Sequence, residues 1–122
     1  MIKRFLLTVM MVLSTLTLSS FQNYADNEKQ TTIASYYGNS HHGKPTASGK
    51  KFSNYELTAA HKTLPFGTKV RVTNPKNGKS VVVTITDRGP FIKGRQLDLS
   101  QKAFSEIGNL KSGIMKVEYE VI

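Results

Sequence analysis

The sequence contains no cysteine. That absence rules out a disulfide, a lipid-modified cysteine anchor and any thiolate nucleophile or metal ligand. No Gly-x-Ser-x-Gly elbow is present, so a serine triad of the usual strand-to-helix kind has no support. Glycine-rich loops with phosphate-binding spacing, internal repeats and low-complexity domains are missing as well. Acidic side chains are scarce, with 8 Asp and Glu against 17 Lys and Arg among 122 residues. A chain of this size has room for one small domain and no second folded module.

Long apolar runs are also missing. The opening MIKRFLLTVMMVLSTLTLSS carries Lys3 and Arg4, an apolar stretch from Phe5 to Leu13 and a Ser/Thr-rich continuation. This is the layout of a secretory signal peptide, expected over residues 1–25 with cleavage after Ser20 or Ala25. An uncleaved anchor is the alternative, although the apolar part is short and rich in hydroxyls for a membrane span. Residues 26–31, polar in character, read as a flexible lead-in, and residues 32–122 as the domain. With Lys3 and Arg4 set aside, 15 basic and 8 acidic residues remain, a formal charge of +7. In a cytoplasmic protein such a balance points to nucleic acid. Outside the membrane the polyanions are cell-wall polymers, lipid surfaces and acidic sugars, so no nucleic-acid partner is expected. A basic surface that only aids solubility explains the charge equally well.

What the chain has is short strands separated by turns. TTIASYYG alternates and is rich in β-branched and aromatic residues before it breaks at Gly38. NSHHGKPTASGKK is a long polar loop, ELTAAH a short strand and TLPFGT a turn. KVRVTN places Val70 and Val72 on one face, and Asn77-Gly78 in the following PKNGK predicts a hairpin to SVVVTITD. QLDLS reads as another strand, Ser100 as the cap of a short helix over QKAFSEIG, and Gly108 as its end. GIMKVEYEVI closes the pattern with a further strand. About six strands and one helix, without long crossovers, predict a small closed all-β barrel.

Three histidines, His41, His42 and His61, are too few and too poorly spaced for a metal site, so none is expected. The polar groups left where an apolar strand meets a loop are Asp87 and Arg88, before Gly89-Pro90, and His61 at the end of LTAAH. Three successive valines, 81–83, suggest a strand buried on both faces with the Asp87 carboxylate at the rim of the core. A carboxylate there is either a turn cap or a functional group, and His61 likewise either structural or functional.

The stretches ASYYG, HGKPTASG, LTAAHKTLPFGTKVRVTNPKNGKSVVVTITDRGPF and GRQLDLSQKAFSEIG closely resemble the rare lipoprotein A (RlpA) family. A more distant resemblance is to the expansins. The likeness covers nearly all of residues 33–121 and implies a six-stranded double-psi β-barrel with one or two short helices. It also implies an exported lytic transglycosylase acting on peptidoglycan glycan strands, with a preference for strands lacking stem peptides. The family's aspartate and histidine fall on Asp87 and His61. Where the family often has Glu after the glycine of its TA-x-G motif and Asp three residues later, this chain has Lys50 and Ser53. Neither a cofactor nor stable membrane insertion is implied; a monomer, not lipidated, in the periplasm or cell wall is expected.

Such chemistry can proceed with one acid. Glycoside hydrolysis uses two carboxyl groups, one of them to activate water or attack the sugar. In the lytic route the sugar's own C6 hydroxyl attacks, and no clear carboxylate partner for Asp87 stands out in the sequence. Arg88 flanks Asp87 and points away if the strand alternates. Tyr36 and Tyr37 are candidates to stack on sugars, with alternation sending one of them into the core. Thr46, Ser48 and Lys50 in the polar loop are candidate substrate contacts or solvated loop residues. Asp98, which matches an expansin aspartate, is a further contact or a strand-end cap. The rival reading is a non-catalytic, expansin-like polysaccharide-binding or wall-loosening protein.

Overall fold

The computed structural model describes residues 28–122. The expected leader and residues 26 and 27 of the lead-in lie outside the described residues, while Gln30 and Thr31, read as lead-in, already belong to the first strand. Six strands form a closed barrel: β1 (Gln30–Tyr36), β2 (Thr58–Ala60), β3 (Lys69–Thr73), β4 (Ser80–Asp87), β5 (Arg95–Leu99) and β6 (Met115–Val121). Around the barrel the order is β1-β5-β2-β4-β3-β6, and β6 pairs with β1 to close it. The β1/β5 and β2/β4 pairs are parallel, the other four antiparallel. No helix among the described residues is long and apolar enough to cross a membrane.

The hairpin signal at Asn77-Gly78 delivers the predicted pairing, with Val70 opposite Val83 and Val72 opposite Val81. These four side chains point inward and join Ala34, Ile85, Leu97, Leu99 and Val117 in the core. Val82 points outward and is 39% exposed, so β4 is buried on one face only. That corrects the reading of the three valines: β4 alternates like an ordinary barrel strand.

Helix α1 (Gln101–Ile107) starts where Ser100 accepts a hydrogen bond from the Ala103 N–H, the expected cap. It buries Ala103, Phe104 and Ile107 in the core. At its other end, the Asn74 and Asn77 side-chain amides both donate to the Ile107 carbonyl, 2.8 and 3.0 Å away. The β3–β4 turn thus ties down a helix end that would otherwise leave a carbonyl unpaired.

Two register shifts decide what reaches the outer surface. In the β2/β4 pair Ala59 opposes Ile85 and Ala60 opposes Asp87, leaving Thr86 as an extra residue. Strict alternation from Ile85, which is inside, would send Asp87 inside too. The bulge resets the phase, and Asp87 faces outward beside Ala60. In the β1/β5 pair the same occurs at Gln96, so that Ser35 opposes Asp98 on the outer face.

Candidate active site

Directly paired residues on neighbouring strands share a face. Ser35 opposes Asp98, Asp98 opposes Ala60 and Ala60 opposes Asp87, which makes a row across β1, β5, β2 and β4. Two strand spacings separate the aspartates, about 10 Å between their Cα atoms. Ala60, between them, has only a methyl group, and the space above it is filled by Tyr37 and Phe52 in a small outer cluster. The Tyr37 and Phe52 rings stack with centroids 4.1 Å apart.

Tyr37 spans the row. Its hydroxyl donates to Asp87 Oδ2 at 2.6 Å. Burial, then the Asp87 hydrogen bond and the negative charges of Asp87 and Asp98, push its phenol well above the ordinary range, so it remains a donor. The other carboxylate oxygen, Oδ1, accepts the backbone N–H groups of Ala47 and Arg88, both at 2.9 Å. An ionised carboxylate offers about four lone-pair sites. With three filled, one acceptor position is left, on the oxygen shared with Tyr37.

Ala47 reaches Asp87 because the polar loop is folded rather than loose. Phe52 N–H bonds to the Lys44 carbonyl, Thr46 N–H to the Lys50 carbonyl, and Ser48 N–H to the Thr86 carbonyl at the bulge. The Thr46 hydroxyl bonds to the Lys50 carbonyl and to the Ser48 hydroxyl. Thr46 and Ser48 therefore shape the loop that delivers the Ala47 N–H. Lys50 is turned to Glu56, 3.2 Å away.

Asp98 accepts a hydrogen bond from the Ser35 hydroxyl at 3.2 Å. Burial raises its pKa against the opposing pull of Ser35, His41 and Arg95, and the Asp87 charge adds to the rise. The structure thereby supplies the carboxylate neighbour that was not apparent in the sequence, because positions 87 and 98 come together only through the shared neighbour Ala60.

His61 meets Asp87 through the backbone, its N–H donating to the Asp87 carbonyl at 3.2 Å. Its ring turns elsewhere. Nδ1 accepts the N–H groups of Thr63 and Leu64, both at 3.1 Å. A nitrogen that accepts two donors carries no proton, so the neutral ring bears its proton on Nε2, which donates to the Tyr119 hydroxyl at 3.2 Å. Tyr119 in turn donates to Gln96 Oε1 at 2.6 Å. Burial, with the positive charges of Arg88 and Lys62, lowers the His61 pKa. A cleft of about 450 Å³ opens on this side, lined by His61, Leu64, Gln96 and Tyr119 among others. Asp87 is not part of its wall.

The Arg88 guanidinium also leaves Asp87 alone. It donates to the His61 and Leu64 carbonyls, at 3.2 and 2.8 Å, and lies 4.0 Å over the Phe66 ring. His61 and Arg88 together fix the turn over residues 61–66. The Gly89–Pro90 peptide that follows is cis. Tyr36 points inward as alternation allows, edge-on to Phe104, with its hydroxyl on the Leu110 carbonyl. The structure thus brings Asp87, Tyr37, Asp98 and the Thr46–Ser48 loop together, and leaves Tyr36, Lys50 and the His61 ring outside that cluster. Ala47, Phe52 and Ala60 complete the site without having been singled out in the sequence. The period-2 match of Ala60 with its neighbours was the one available signal, and it needs the bulge to be read.

A closed six-stranded barrel with this mixed strand order has the topology of a double-psi β-barrel. Comparison with known proteins agrees: a profile described as lytic transglycolase matches residues 29–119. The chain belongs to that family. It is 54% identical over 90 residues to the probable endolytic peptidoglycan transglycosylase RlpA of Synechocystis, covering 74% of this chain and 28% of that one. With the endolytic peptidoglycan transglycosylase RlpA of Campylobacter jejuni it shares 47% identity over 98 residues, 80% of this chain and 36% of that one. The chain thus spans roughly a third of the length of these curated relatives. Among solved structures, the Streptomyces papain inhibitor superposes with a TM-score of 0.64 at 24% identity, over 78% of this chain and 94% of the other. The apo expansin of Clavibacter michiganensis gives 0.62 at 22% identity, over 78% and 50%. These two likenesses concern the fold alone.

Proposed function

We propose that this chain is an exported lytic transglycosylase that cleaves peptidoglycan glycan strands to anhydro-ended products and prefers strands lacking stem peptides. The observation that carries the reading is the Asp87 carboxyl group, aimed outward by the bulge and held by three donors with one acceptor position open. Family membership and the names of the relatives support the substrate class.

Asp87 acts as acid and then base. Protonated at that open position, Asp87 passes its proton to the glycosidic oxygen as the C1–O bond breaks, and the C6 hydroxyl of the same sugar bonds to C1 while its proton returns to Asp87. No water is consumed, and the catalyst ends as it began. Positioned acid–base groups contribute about 10²–10⁴-fold in rate. Tyr37 orients the carboxyl group, and Asp98 and Ser35 are placed to contact the sugar along the same row. His61 contributes by position, through the turn that flanks Asp87. The signal-peptide layout of residues 1–25 supports export, and the basic balance of the chain suits an anionic wall polymer.

The specific observation that favours the non-catalytic, expansin-like reading is Lys50, paired with Glu56 at the position where the family pattern often has Glu. Incubation of the protein, freed of its leader, with purified glycan strands, with and without stem peptides, decides between them by mass spectrometry. Anhydro-ended fragments that vanish in Asp87→Asn support the lytic route, with more product from strands lacking peptides. Fragments carrying an added water refute it in favour of hydrolysis using Asp98, and binding without product supports the non-catalytic reading.

A further inference from the structure

A second hollow, of about 380 Å³, lies beside the candidate active site and is lined by Asn39, His42, Asn54, Tyr55, Gln101 and Lys102 among others. Its floor holds an anomaly. Asn54 is only 7% exposed, and its Nδ2 donor has no hydrogen-bond partner among the described residues. The amide cannot be turned over to relieve this, because Oδ1 accepts the Gln101 N–H at 3.0 Å. A buried amide donor left unpaired is costly, and native proteins keep few of them.

Two further donors and one aromatic wall stand around it, while the Gln101 amide nitrogen is already spent on the Tyr37 carbonyl and Asn39 Oδ1. His42 Nδ1 accepts the Asn54 N–H at 3.2 Å, so the uncharged ring has its proton on Nε2, free to donate. The Lys102 ammonium has no salt-bridge partner among the described residues. Tyr55 stands at the rim, 77% exposed, its ring edge-on to His42 at 5.3 Å. So large an exposure for an aromatic side chain that plays no part in the core fits a binding surface better than a folding role. What matches donors beneath an aromatic wall is a rigid ring with one apolar face and a carbonyl oxygen.

The hollow is also joined to the catalytic row. Gln101 Nε2 donates to the Tyr37 carbonyl at 2.9 Å, and the Tyr37 hydroxyl meets Asp87 at the opposite end of the same residue. A glycan strand lying along Tyr37 would fill both places at once.

We propose that this hollow is a distal saccharide subsite that takes an N-acylated sugar, whose acyl carbonyl oxygen accepts the Asn54 Nδ2 hydrogen bond while its ring packs on Tyr55. The inference rests on the glycan-cleaving reading above for its substrate class. The amide nitrogen is itself closed off from solvent, so the sugar reaches it by displacing the exposed Lys102 side chain at the rim while Tyr55 stays in place as the wall.

The test is binding of N-acetylglucosamine oligomers, with cello-oligosaccharides of equal length as the probe without acyl groups. Titration calorimetry gives the affinities, and the side-chain amide signal of Asn54 in a nitrogen–proton NMR spectrum reports the contact directly. The N-acetylated oligomers are expected to move that signal and bind at least tenfold tighter than the cello-oligosaccharides. Tyr55→Ala, at an exposed position, should weaken them roughly tenfold without lowering the melting temperature. An unmoved Asn54 signal, equal affinity for both oligomers, or unchanged binding in Tyr55→Ala would each overturn the subsite. Cleavage of glycan strands by the unsubstituted protein is scored separately. An Asn54 shift without cleavage keeps the subsite and sinks the lytic reading, whereas cleavage with no shift does the reverse.

Discussion

Replacing Tyr37 with Phe removes one oxygen atom and leaves the rest of the site in place. The ring is 7% exposed and stacked on Phe52, and neither contact needs the hydroxyl. Only the 2.6 Å hydrogen bond to Asp87 Oδ2 is lost, while Oδ1 keeps its two backbone donors. A hydrogen bond to a charged group contributes about 1.5–3 kcal/mol. If that energy serves to hold the carboxyl group in the reacting orientation, its loss appears in the barrier, at tenfold for each 1.36 kcal/mol or so. The expected fall in kcat is therefore about 10- to 100-fold, with KM changed by less than about threefold, since the hydroxyl is spoken for by Asp87 and not by the sugar. The assay is initial-rate release of anhydro-ended fragments from purified glycan strands, alongside a thermal melt to show that Tyr37→Phe folds. Because the phenol is pushed above its usual range, no break in the pH–rate profile below about 10 should disappear in the variant. A folded Tyr37→Phe protein with kcat within twofold of the parent would refute the positioning role.

Four further outcomes are expected. His61 has a folded pKa below its ordinary 6.5, so the unfolded chain binds the extra proton first as pH drops. Stability should thus fall from about pH 6.5 downward and level off below the folded pKa, and calorimetry should show a shallower fall for His61→Asn, whose amide oxygen can accept the same two N–H groups. Asp98 has the opposite sign: its raised pKa means the folded state resists ionisation, so stability is lost as pH rises through the folded value. Asp98→Asn is expected to melt higher than the parent at neutral pH, with the gain gone below about pH 4; equal melting at pH 7 would count against it. Arg88→Met should lose about 2 kcal/mol in urea unfolding, because the His61 and Leu64 carbonyls lose their donor. Gly89 has φ of +116°, a region L side chains avoid, so Gly89→Ala should lower the urea midpoint by the equivalent of about 1–3 kcal/mol.

Much of the barrel was legible because its signals are local. Asn77-Gly78 set a hairpin and its register, Ser100 a helix start, and the alternation around Val70 and Val72 an inner face. Six short strands without long crossovers already implied a closed barrel, and family resemblance gave the double-psi order, which no local signal carries. The site was harder to read. Asp87 stood out, but nothing in TITD marks Thr86 as the bulged residue, since the bulge uses no glycine and is created by pairing with a strand 26 residues away. Without it, alternation predicts an inward aspartate. Asp98 was a candidate too, but the same limit hid its place beside Asp87, which it reaches only through Ala60. The His61 ring could not be oriented from sequence because, although Thr63 and Leu64 are close by, the Tyr119 hydroxyl that meets its other nitrogen comes from a strand 58 residues away.

Closure of the barrel has a consequence for how the site moves. The row from Ser35 to Asp87 crosses four neighbouring strands of a ring that has no free edge. Opening any one of those ladders means breaking the circle, so there is no hairpin or flap whose detachment would spread the two aspartates apart at small cost. Slow-exchanging backbone amides of β2, β4 and β5 should therefore report one shared opening free energy, equal to that of global unfolding. The spacing of the two carboxyl groups is then as persistent as the folded state itself, and adaptation to different glycans is left to the 44–52 loop and to side chains at the rim.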